Sequence, residues 1–163
     1  MNNERASGRG ILWLTLLVAV LLQVMPLPQV LQGWRPDWVL LTVVYWVLTL
    51  PHRFNILSAC VVGVVLDVLL GGTLGVRGLG LSLVAFLVAV QYQRLRHFTM
   101  VQQLLLVGLF AMLTQLVIYL VEYLSNASIS ISLAYLQPAL LTAALWPWAF
   151  WLLGRIRRRF KIR

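Results

Sequence analysis

Six apolar blocks account for most of this sequence: Ile11 to Met25, Trp38 to Leu50, Phe54 to Leu70, Leu79 to Val90, Val101 to Leu124 and Leu136 to Leu153. The connections are short, marked by Pro26 and Pro28, by Pro51-His52-Arg53, by the glycine-rich stretch Gly71 to Gly80, by Gln91 to His97 and by Ser125 to Ser132. A chain with so little polar sequence between its apolar runs lacks the material to cover a core with a solvated shell, and must place apolar surface against lipid. Composition agrees: 10% of residues are charged, against about 25% in an ordinary soluble domain. With 163 residues, most of them apolar, there is no room for a separate soluble domain. Residues 1–163 therefore read as one all-α integral membrane domain, a bundle of six transmembrane helices with a short basic tail over 154–163.

The second block is the weakest span. A bilayer crossing takes about 20 residues at about 1.5 Å each, and Trp38 to Leu50 supplies 13. A re-entrant hairpin turning at Pro51 is the alternative, since such segments persist where protein surrounds them. Charge placement gives the orientation. Arg5, Arg9, Arg53, Arg94, Arg96, Arg155, Arg157, Arg158, Arg159, Lys161 and Arg163 fall on one side, eleven of the thirteen basic residues, and leave Arg35 and Arg77 on the other. Basic residues in short loops collect on the cytoplasmic side, so both termini are expected there, and the hairpin alternative keeps that parity. Arg5 and Arg9 before the first block resemble a signal peptide, but "MPLPQ" lacks a small-residue cleavage site, so the block reads as a retained helix.

The stretch "VVGVVLDVLLGGTLGVRGLG" carries the most chemistry. Ala59, Gly63, Asp67 and Gly71 recur every four residues and share one helix face. Small residues on such a face let backbones approach closely in lipid, where apolar burial alone drives no association. Gly75 is added to this helix-packing set, and glycines 71, 72, 75, 78 and 80 are also expected to let the chain turn sharply and take positive φ angles. An unpaired charge at the bilayer centre costs at least about 2.5 to 3.5 kcal/mol. Asp67 is therefore expected near the outer end of its helix, turned into the bundle and paired, with Arg77 as first partner and Arg35 as second. Together with Asp37 and Glu122 these residues form a candidate polar clasp, either purely structural or a site where another protein docks.

Other features have plainer readings. Arg35-Pro36-Asp37-Trp38 suits a helix start: proline at the first turn, an acid at the positive end of the dipole and a tryptophan at the headgroup level. Gln115, Tyr119 and Glu122, with Gly108 and Ala111, share a stripe that faces the bundle. Trp146, Trp148 and Trp151 suit an aromatic belt. Arg155, Arg157, Arg158 and Arg159 form a basic cytoplasmic edge that meets an anionic leaflet or a protein. The lone Cys60 is a small apolar residue, and the acceptor triplet Asn126-Ala127-Ser128 is too short to carry weight. No triad, paired intramembrane carboxylates or metal-ligand spacing is present, and no internal repeat of the transporter kind. The residues indicate neither an enzyme nor a cofactor, and nothing but charge suggests nucleic acid.

The strings "LLVAVLLQVMPLP", "RPDWVLLTVVYWVLTLPHRFN", "GVVLDVLLGGTLGVRGLGLSLVA", "YQRLRHF" and "LWPWAFWLLGRIRRRF", in that order, resemble the bacterial rod shape-determining MreD family in its gamma-proteobacterial form. The likeness covers nearly the whole chain and is most specific over Arg35 to Asn55 and Asp67 to Arg77. It implies a non-catalytic inner-membrane scaffold of the cell-elongation machinery. Its implied partners are the bitopic protein MreC, the glycosyltransferase and transpeptidase of lateral peptidoglycan synthesis and, indirectly, the MreB filament. It also implies a six-helix fold similar to the substrate-binding subunits of energy-coupling-factor transporters. That fold keeps a rival open, a transport subunit holding a small molecule among Arg35, Asp67, Arg77 and Glu122.

Overall fold

The computed structural model describes residues 2–26, 28, 33–52, 54–125 and 137–160, with the side chains of 2–9 left aside. Six helices follow one another: α1 (Asn2–Val24), α2 (Trp38–Thr49), α3 (Ile56–Leu70), α4 (Val76–Leu95), α5 (Met100–Ser125) and α6 (Gln137–Arg159). No strand occurs among the described residues. Of the expected features, Arg53, Lys161, Arg163, the triplet Asn126-Ala127-Ser128 and the rest of the loop before Gln137 lie outside the described residues, as do the side chains of Arg5 and Arg9.

The short second block is the hub. Every residue from Val39 to Leu48 is buried, and α2 packs against α1, α4, α5 and α6. Around it α3 packs on α4, α4 on α5 and α5 on α6, and α1 also touches α3. Twelve residues rise about 18 Å, well short of the roughly 30 Å hydrocarbon layer, but an element wrapped in protein need not span it. The β-branched residues of α2 do not prevent a helix here, because without water the backbone must bond to itself. Thr42 and Thr49 turn their hydroxyls back to the carbonyls of Trp38 and Tyr45 at 2.9 and 2.8 Å. Helices α4, α5 and α6 are long and apolar enough to cross a membrane, whereas α2, α3 and the apolar part of α1 are shorter.

Two boundaries differ from expectation. The apolar pattern stops at Leu153, but α6 continues to Arg159, so the basic segment is helical over most of its length. Arginine is a good helix former, and its charge complements the negative C-terminal end of the helix dipole. Helix α4 likewise runs through Gln91 to Leu95. Between α1 and α6 the ring does not close tightly. An apolar slot of about 300 Å³ opens there, floored by Leu41 of α2.

Candidate functional site

The chain between α3 and α4 turns back sharply. Gly71 ends α3 at φ +65°, and the Gly72 amide donates to the Asp67 carbonyl at 3.1 Å. Gly75 opens α4 at φ +89°. Both angles lie in the left-handed region, which costs a residue with a Cβ about 1–2 kcal/mol. A Cβ at either position would meet nothing within 4 Å. Gly71 and Gly75 therefore do not pack helices, contrary to that part of the expectation, because the four-residue period runs past the end of α3; they serve the sharp turn and positive φ angles that the sequence also leads one to expect. The close approach is made by Gly63 and Gly78. A Cβ on Gly63 would lie 2.5 Å from the Gly78 Cα. Ala59, one turn earlier, is wholly buried. Gly80 faces Thr114 and Gly108 faces Ala143 in the same way, with Cβ distances of 3.0 and 3.1 Å to side-chain carbons, which sets the α4/α5 and α5/α6 spacing.

Asp67 sits in the last turn of α3 and is 1% exposed. Its two carboxylate oxygens accept from the Arg77 backbone N–H at 3.1 and 3.3 Å, and its Oδ1 lies 3.7 Å from the Arg77 Nε. The first amides of a helix have no partner within it, and Gly75 offers no side chain to α4. Asp67 supplies that cap from the neighbouring helix, with its charge at the positive end of the α4 dipole. The bond to the backbone is the shorter one, and the guanidinium adds a longer ion pair.

Arg35 does not join this pair. Its guanidinium donates to the Met25 carbonyl, which ties the start of α2 to the end of α1. Asp37 is buried and caps α2, accepting from the Leu40 amide at 3.0 Å. Two side chains that were not singled out complete this corner. The Asp37 amide donates to Thr142 of α6 at 2.9 Å, and the Trp38 amide to Gln23 of α1 at 2.9 Å. The expected helix start is thus real, but it lies inside the bundle, and Trp38 packs edge-on against Trp148 with ring centres 6.2 Å apart. Glu122 is half-buried near the end of α5, and no ion pair holds it among the described residues. In its stripe Ala111 is buried and Tyr119 stacks on Tyr123 with ring centres 6.1 Å apart.

Trp146 corrects the belt reading. It is fully buried, and its indole N–H points at the Gln103 side-chain oxygen at 3.4 Å, while the Gln103 amide donates to the Leu95 carbonyl at 3.2 Å. One glutamine thereby joins the α4–α5 turn to α6. An amide inside an apolar block was its available signal. Trp148 and Trp151 are half-exposed. The Arg155 guanidinium lies 3.9 Å from the centre of the Trp151 ring. Arg157 hydrogen-bonds the Tyr45 hydroxyl, and Arg158 and Arg159 are exposed. Among the described residues no group of three His, Cys, Asp or Glu is placed to hold a metal.

A family model described as rod shape-determining protein MreD matches residues 4–156. The chain belongs to the MreD family. The rod shape-determining protein MreD of Haemophilus influenzae is 36% identical over 154 residues, covering 92% of this chain and 94% of that protein. The family match contains the α3–α4 turn and the buried α2, and it ends before Arg157 in the basic end of α6. Membership assigns the chain a role in cell shape, and the long apolar helices make it a membrane protein. No solved structure matches, so the implied likeness of this MreD-family chain to energy-coupling-factor subunits rests on resemblance alone.

Proposed function

We propose that this MreD-family chain is a non-catalytic scaffold in the bacterial inner membrane, with both termini in the cytoplasm. In this reading it binds MreC and helps organise lateral peptidoglycan synthesis with the elongation glycosyltransferase and transpeptidase, and it reaches the MreB filament indirectly. The observation that supports a scaffold over a ligand-holding subunit is what the two buried acids and the partly buried Arg35 do. Asp67 caps α4, Asp37 caps α2 and Arg35 holds the end of α1. Engaged in this way, they lock helices to one another instead of converging on a shared ligand. The result is a rigid body whose outer helix faces remain apolar and open to a partner's transmembrane segment. Purification of the full-length chain from membranes in mild detergent, with mass spectrometry of everything retained, tests this. MreC in stoichiometric amount is expected. A stoichiometric polar small molecule without MreC would reverse the assignment.

A further inference from the structure

We propose that the slot between α1 and α6 binds one anionic phospholipid from the leaflet that meets the C-terminal end of α6, with an acyl chain in the slot and the headgroup on Arg155 and Arg159. The slot is walled by Leu14 and Val18 of α1, by Leu152 of α6 and by Phe160 just beyond it, with Leu41 as floor and Trp148 at the far end. Its two hydroxyl side chains are already engaged. The Thr15 hydroxyl donates to the Leu12 carbonyl at 2.8 Å and accepts from the Trp46 indole at 2.9 Å, and Thr42 bonds the Trp38 carbonyl. What remains is a predominantly apolar surface suited to hydrocarbon.

Length and volume favour a lipid chain over a protein helix. From Trp148 along α6 to Phe160 just past its end the lining rises about 18 Å, close to half of the roughly 30 Å hydrocarbon layer. The Trp38–Trp148 ring pair stands at the inner end. A transmembrane helix about 10 Å across needs a groove through both leaflets, whereas this slot of about 300 Å³ serves one. Charge supplies the second argument. Arg159 follows Ile156 by three residues and Leu152 by seven, and Arg155 follows Leu152 by three, so both arginines flank the slot-facing residues of α6. Both are exposed. The Trp151 ring under Arg155 holds that cation near the headgroup level. Pro147 lies beside the slot's inner end and has no amide to bond the preceding turn of α6, which gives the helix freedom to adjust to a chain of varied shape.

The test uses the full-length chain in nanodiscs of equimolar phosphatidylglycerol and phosphatidylethanolamine, followed by native mass spectrometry. One retained phosphatidylglycerol per chain is expected. Val18→Trp projects bulk into the slot from a half-exposed position, and Leu14→Trp does so from a second; each should lose the retained lipid with elution volume and thermal midpoint unchanged. Arg155→Gln with Arg159→Gln should keep a lipid but lose the anionic preference, by roughly fivefold per residue, the factor that about 1 kcal/mol per basic group gives at an anionic surface. Retained lipid in the bulk ratio, equal retention in a folded tryptophan variant, or capture of a protein helix by a photocrosslinker at Val18 in cells would each overturn the assignment.

Discussion

The seams α3/α4 and α1/α6 show two ways in which neighbouring helices meet in lipid. At α3/α4 the backbones nearly touch through Gly63 and Gly78, and a carboxylate from one helix caps the other. At α1/α6 large side chains face each other across an open slot. Both seams are lined mostly by apolar residues, so average hydrophobicity does not distinguish them. The difference lies in the absence of a Cβ at one register position and the presence of a buried acceptor one turn further on. Close approach in a membrane comes from small residues and polar bonds, and where both are missing the helices stand apart and something else fills the gap.

The contrast is broken most severely at its tightest point. Gly63→Leu should cost more than about 3 kcal/mol, because the obstacle is main chain that cannot repack. Cellular abundance should fall to a trace and the detergent-extracted chain should aggregate; a monodisperse protein at parental level would show that the seam is looser than the contact implies. Gly75→Val keeps the seam but forces a β-branched residue into a left-handed angle, at about 1–2 kcal/mol. A thermal midpoint lowered by several degrees with preserved rod shape is expected, and an unchanged midpoint would mean that the turn adopts another geometry. The smallest change is Asp67→Asn, which leaves an acceptor for the Arg77 amide and removes only the charge. Polar pairs inside membranes average about 0.6 kcal/mol, so abundance should hold while Asp67→Leu falls below it. Equal loss in both variants would make the ion pair, and not the cap, the dominant bond.

Much of this architecture is legible without coordinates. The helix number, the brevity of α2 and the inward turn of Asp67 toward Arg77 follow from block lengths and from the cost of a charge in lipid. The centrality of α2 does not follow, because hydropathy cannot distinguish residues that face lipid from residues that face protein, and Val39 to Leu48 read alike in either case. The packing glycines were only half legible. A four-residue period marks Gly63, but its counterpart Gly78 belongs to the next helix, and the match appears once the turn at Gly71 and Gly75 has set the offset. Trp146 escaped for a related reason. Its partner Gln103 is forty-three positions away, and a tryptophan near a helix end looks like a headgroup anchor until that amide is brought beside it.

The brevity of α2 also bears on how the protein is made. Twelve residues leaving the ribosome are too few to settle stably across a bilayer unaided, and the walls that enclose them, α4, α5 and α6, are translated later. The enclosure of α2 seen in the structure is therefore complete only once α6, the last helix, has been made.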